Sequence, residues 1–116
     1  NESIPAGSRF EDYLLRGGER QKRMAKRFVN PRTVEVARRV GQIAQELGIT
    51  PAALALAWSR QHDFVASTLV GATSLSQLEE SLSAIDLILD RETLERLDAI
   101  EVDIPCAMTE DGLRRL

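Results

Sequence analysis

A single apolar segment, residues 65–70, is the one stretch of this 116-residue chain that reads as a strong β-strand. Val65-Ala-Ser-Thr-Leu-Val70 is interrupted only by Ser67 and Thr68, and its weak alternation is the pattern of a strand covered on both faces. Buried strands present N–H and C=O groups that need partners. The short run Leu87-Ile-Leu89 is a poor neighbour, and the rest of the chain reads as helix or loop. A mostly helical chain with one orphan strand is the pattern of a slice of a parallel sheet or barrel.

The helices are marked by local signals. Asn30-Pro31 supplies an N-cap and a first-turn proline. Val34, Ala37, Val40, Ile43, Ala44 and Leu47 then repeat at three- and four-residue spacing, which predicts a helix over about 31–47 that Gly48 stops. Thr50-Pro51 repeats the signal for a helix at about 51–60, apolar on nearly every side through Trp58. The strand turns through Gly71-Ala-Thr into a third helix, about 75–84. Ser74 is its N-cap, Gln77 stands in the capping-box position, and Leu75, Leu78, Leu82 and Ile85 form its stripe. Asp90 opens a fourth helix at about 91–101, with Leu94, Leu97, Ala99 and Ile100 available for burial. Residues 1–30, punctuated by Pro5, Gly7, Gly17 and Gly18, read as a loop region with a short helix at about 19–28, and 103–116 as a tail without assignment.

Hydrophobic residues at 43% allow a core, but aromatics at 4% leave it to Leu, Ile, Val and Ala. A net charge of -3 and a pI near 5.2 argue against a nucleic-acid binder. The charge is uneven. Residues 1–40 hold ten Lys/Arg against five Asp/Glu, and 41–116 hold five against thirteen, so the two parts carry +5 and -8. Two mutually attracting solvated surfaces account for this, as does a basic surface for a phosphate-bearing ligand or partner. Cys106 is the sole cysteine, which excludes an intrachain disulfide framework and makes a reducing cytoplasm the simplest location. No apolar run reaches membrane-spanning length, and the polar first residues form no signal peptide.

Asn30-Pro31, the run Ile43-Ala-Gln-Glu-Leu-Gly-Ile-Thr-Pro-Ala52, Ala55-Leu-Ala-Trp58, Val70-Gly-Ala-Thr73 and Gln77-Leu-Glu-Glu80 follow one another in order and with family-like spacing. Over roughly 5–102 the chain resembles the C-terminal part of an aldo-keto reductase, of the branch containing potassium-channel beta subunits and Tas-like bacterial reductases. The resemblance implies a C-terminal fragment of a (β/α)8 TIM barrel, not a complete barrel. Residues 31–47 and 51–60 would belong to the seventh helical layer, 65–70 would be strand eight, 75–84 helix eight and 91–101 an additional C-terminal helix. Residues 5–27 would form the long loop that approaches the cofactor.

Family members hold the adenosine end of NADP or NAD at the exit of strand eight. The resemblance places Gly71, Ala72 and Thr73 near the ribose that bears the 2′-phosphate, Gln77 at the same end, and Glu80 at the adenine amino group. Ser81 stands where many relatives have Asn, and other branches have Lys and Arg where this chain has Gly71 and Gln77. Arg9 is a candidate cation for the phosphates. The catalytic Tyr, Lys, Asp and His of the family come from segments this chain does not match. Tyr13 reads instead as a packing or surface aromatic in the loop and His62, beside Gln61 and Asp63, as a solvated helix-end residue, while Lys22 and Lys26 sit in a basic polar stretch and not beside an acidic partner at an apolar strand end.

The expected function is therefore the cofactor-clamping portion of an NAD(P)H-dependent reductase of aldehydes or ketones, inactive as an isolated chain. Its expected partners are the remainder of the barrel or a second copy, through the exposed strand and apolar helix faces, with no nucleic acid and no membrane. The alternative is a small helical protein-interaction domain without cofactor or catalysis.

Overall fold

A computed structural model describes residues 4–105, and among them six helices form and no residue pairs as a β-strand. They are α1 (Arg9–Leu15), α2 (Glu19–Phe28), α3 (Pro31–Leu47), α4 (Pro51–Arg60), α5 (Leu75–Leu82) and α6 (Arg91–Asp103). Of the described residues, 4–36 and 101–105 belong to one compact unit and 37–100 to another. Most of the expected tail, Cys106 included, lies outside the described residues.

The first unit is built on a helical hairpin. Ser8 Oγ accepts the Glu11 N–H at 3.3 Å while Glu11 Oε2 accepts the Gly7 N–H, so the start of α1 satisfies two backbone donors reciprocally. Gly17 closes the turn into α2, and there the Gly18 N–H donates to Gln21 Oε1 at 2.9 Å. Phe10 stacks on Phe28 with centroids 5.7 Å apart and meets Tyr13 edge-on, while Ala25 is fully buried. Asn30 Oδ1 then caps α3 by accepting from the N–H groups of Arg32 and Thr33 at 2.9 and 3.1 Å. Arg32 Nη2 donates to the Pro105 carbonyl at 2.5 Å, tying the start of α3 to the chain just beyond α6.

In the second unit, Gly48 adopts φ 68° at the end of α3, the left-handed conformation of a helix stop. Thr50 Oγ1 accepts the Ala53 N–H at 3.2 Å to cap α4. Ile43, Ala44, Ala53, Leu54, Ala57, Ala84, Leu89, Leu97 and Ile100 make the core. Polar ties brace it. Trp58 Nε1 donates to Asp98 Oδ1 at 3.0 Å, and Arg96 pairs with Glu46 at 2.7 Å. The Gln61 amide meets Leu89 in both directions, donating to its carbonyl at 3.1 Å and accepting its N–H at 2.6 Å. Arg60 Nη2 donates to the Leu87 carbonyl at 2.9 Å. Asp90 Oδ1 caps α6 by accepting the Thr93 N–H at 2.8 Å.

Two expectations need correcting and a third takes a definite form. First, residues 65–70 are not a strand. The segment runs without ladder bonds and is mostly open to water, with Leu69 95% exposed and only Val65 and Thr68 half-buried, so it offers no strand edge to recruit a partner. Without a neighbouring strand, β-propensity has nothing to act on. Second, the exposed apolar helix faces expected of the chain include the stripe of α5: α5 packs against α4, yet Leu75, Leu78 and Leu82 stand in water. The apolar surround of α4 is likewise only partly covered, with Ala53, Leu54 and Ala57 buried while Ala52 and Ala55 face solvent. Third, residues 1–30 contain α1 as well as the short helix expected near 19–28.

Candidate functional site

The crossing from residue 71 into α5 keeps the geometry of a helix entrance, though an extended coil and not a strand leads into it. A Cβ at Gly71 would meet nothing within 4 Å, and the residue does not take positive φ. The fold therefore imposes no glycine there, and open space lies in front of its backbone. Ser74, with φ -142° and ψ 158°, turns the chain, and its Oγ accepts the Gln77 N–H at 3.3 Å. The hydroxyls of Ser74 and Ser76 lie 3.1 Å apart.

Gln77 does not close the expected box onto Ser74. Its Oε1 reaches one residue further back and accepts both the Thr73 N–H at 2.9 Å and the Thr73 hydroxyl at 3.0 Å. That doubly used oxygen fixes the amide orientation, leaving Nε2 as the end available to a ligand. Ser81 Oγ donates to the Gln77 carbonyl at 2.8 Å, so this hydroxyl is turned onto its own helix. Thr73, Gln77 and Ser81 are thus brought into one chain of hydrogen bonds. Glu80 lies half-buried one residue before, and Gly71 and Ala72 are exposed. Because the first N–H groups of a helix lack intrahelical acceptors, Leu75 and Ser76 keep donors at this end.

Arg9 is the first residue of α1, in the other compact unit, with its guanidinium carbon 5.0 Å from the Phe10 ring centroid. Tyr13 packs edge-on against Phe10 at 6.3 Å. His62 lies between Trp58, edge-on at 4.5 Å, and Phe64, stacked at 5.1 Å. No group of three His, Cys, Asp or Glu placed to hold a metal occurs among the described residues, and none of their helices is long and apolar enough to cross a membrane.

Electrostatic tuning occurs at α6. The Arg96 guanidinium hydrogen-bonds Glu46 and lowers its carboxyl below the ordinary value, while Glu46 raises Arg96. The Thr93 backbone N–H, followed by its hydroxyl, lowers Asp90. α1 and the bridge from Gln61 to Leu89 go beyond the elements expected from the sequence. Ser8-Arg-Phe-Glu11 carries the S-x-x-E signature that marks α1. The Gln61 bridge spans separate segments and leaves no local signal.

A family model described as the aldo/keto reductase family matches residues 6–102. The chain is 32% identical over 103 residues to a putative voltage-gated potassium channel subunit beta of Schizosaccharomyces pombe, covering 86% of this chain and 28% of that protein. It is 32% identical over 103 residues to Protein tas of Escherichia coli K12, covering 86% and 26%. To the L-glyceraldehyde 3-phosphate reductase of Escherichia coli O157:H7 it is 30% identical over 96 residues, covering 82% and 27%. The chain spans about a quarter of the length of these curated relatives.

Proposed function

The chain belongs to the aldo/keto reductase family, and we propose that it is the C-terminal, cofactor-clamping portion of an NAD(P)H-dependent reductase of aldehydes or ketones. In this reading a TIM barrel in the cytoplasm is completed by the remainder of a longer protein, and the chain alone is inactive. The observation that carries it is the run of exposed large apolar side chains between residues 64 and 88. Phe64, Leu69, Val70, Leu75, Leu78, Leu82, Ile85 and Ile88 are all exposed within one segment. So much contiguous sequence with large apolar side chains in water is expected where another surface normally covers it. The quarter-length match to relatives, one of them named a reductase, supports the same reading.

At the α5 entrance the division of labour is as follows. Gly71 and Ala72 leave the backbone accessible, the N–H groups of Leu75 and Ser76 face an anion, Gln77 offers Nε2, and Glu80 accepts from an adenine amine. Ser81 steadies the helix through the Gln77 carbonyl and adds little reach. When bound, the dinucleotide supplies the hydride; the residues here hold and orient its adenosine end.

Titration of NADP, NAD and 2′-phospho-adenosine ligands against the chain, followed by calorimetry, tests this. Glu80→Ala and Gln77→Ala should weaken binding of the adenosine ligands several-fold, and carbonyl reduction with NADPH or NADH should be undetectable. Equal binding by parent and both variants would favour an interaction domain without a cofactor.

A further inference from the structure

We infer that the outward face of α2 is a docking surface for a short acidic segment of a partner protein. The inference stands on the first unit alone and is independent of the cofactor reading. Arg20, Arg23 and Arg27 follow at three- and four-residue steps, and Lys22 and Lys26 lie four apart. At about 100° per residue these five cations fall within one arc of about 160°. The opposite arc is used for packing: Ala25 is fully buried, and Phe28 stacks on Phe10 of α1. Arg20, Arg23, Lys26 and Arg27 are exposed, and Lys22 is half-buried. None of the five has a carboxylate within 4.0 Å among the described residues, whereas Arg16 pairs with Asp12, Arg91 with Glu95 and Arg96 with Glu46. Like charges three and four residues apart on a helix repel; Glu19 falls in the same arc, three and four residues before Lys22 and Arg23, and one carboxylate offsets only part of the repulsion among five cations, which an anionic occupant relieves further.

The chemistry of the occupant follows from the surroundings. A lipid surface would need an apolar arc to insert, and the apolar arc of α2 is already packed on α1. A nucleic acid is a long line of charge that calls for more cations than one short helix face offers, and the chain's net charge is -3. A ten-residue helix is about 15 Å long. That length matches an extended run of about four or five residues, so a short Asp/Glu-rich peptide meets the cations without reaching further.

The 116-residue chain is titrated with a fluorescent Asp/Glu hexapeptide, its Asn/Gln counterpart, a 12-mer DNA duplex, and vesicles containing phosphatidylserine. The acidic peptide should bind best, the neutral one not at all, and affinity should fall as salt rises from about 50 to about 200 mM. R20Q/R23Q/K26Q/R27Q should weaken peptide binding by about tenfold or more with circular dichroism unchanged, while R91Q leaves it intact. Amide shift mapping on the unsubstituted chain gives an answer even if the fourfold variant unfolds, with peptide-induced shifts expected over residues 20–27. Equal affinity of the folded variant, shifts clustered elsewhere, tighter binding of DNA or vesicles, or self-association that the variant abolishes would each overturn the proposal.

Discussion

A Cβ at Gly17 would sit 2.3 Å from the Tyr13 carbonyl oxygen and 3.0 Å from Tyr13 Cα, both backbone atoms of α1 that cannot swing away. Gly17→Ala is therefore expected to loosen the α1–α2 hairpin by about 1–3 kcal/mol, the range for overpacking a closed site. Hydrogen exchange of the α1 and α2 amides reads this directly, and unchanged protection would mean that the turn re-forms without strain. Asp90 invites a different test. Its carboxylate accepts the Thr93 N–H, and its folded pKa lies below the ordinary 3.8. A lowered folded value means that the ionised cap stabilises the fold above about pH 3.8 and that this contribution is lost as pH falls through the folded value. Asp90→Asn keeps an acceptor but does not titrate. The stability gap between parent and variant should narrow from about pH 5 to about pH 3, measured by urea unfolding at each pH. A constant gap would remove Asp90 from the acid response.

At the scale of elements, the two apolar faces of the second unit should behave in opposite ways. Leu54 is fully buried, and Leu54→Ala should lower stability by about 2–5 kcal/mol. Leu75→Gln and Leu78→Gln on exposed α5 should each change it by no more than about 0.5 kcal/mol. Trp58 lies in this unit, bonded to Asp98, so its fluorescence follows both transitions. The same contrast explains what the sequence could disclose. Helix ends are local events. Thr50 with Pro51, the left-handed Gly48 and the Ser74 hydroxyl on Gln77 N–H were all legible from a few adjacent residues. Ser8 and Glu11 are equally legible as a signature, although the surrounding glycines and proline carry the composition of a loop. A strand is not a local event. Val65 to Val70 has the composition of one, but its realisation depends on neighbours outside the segment. For the candidate site, residues 71–81 are contiguous and could be singled out from order alone. The turn of Gln77 Oε1 onto Thr73 could not, because it depends on which of two adjacent N–H groups the amide reaches.

For the whole molecule, apolar exposure and charge pull on the same question of association. Large apolar side chains between Phe64 and Ile88 stand in water, and a net charge of -3 gives weak repulsion between copies. The isolated chain should therefore bind the dye ANS and sediment faster as its concentration rises. L75Q/L78Q/L82Q leaves the core untouched while removing three of those exposed side chains, so dye emission should drop and the sedimentation coefficient should lose much of its concentration dependence. Raising salt separates the two forces: apolar association persists or strengthens as charges are screened, whereas attraction between the +5 and -8 parts of neighbouring copies fades. If the remainder of a longer reductase covers this surface, the chain within that longer protein should bind far less ANS per molecule. Equal dye binding in the two settings would mean that the apolar face stays open, and the barrel-completion reading would fail with it.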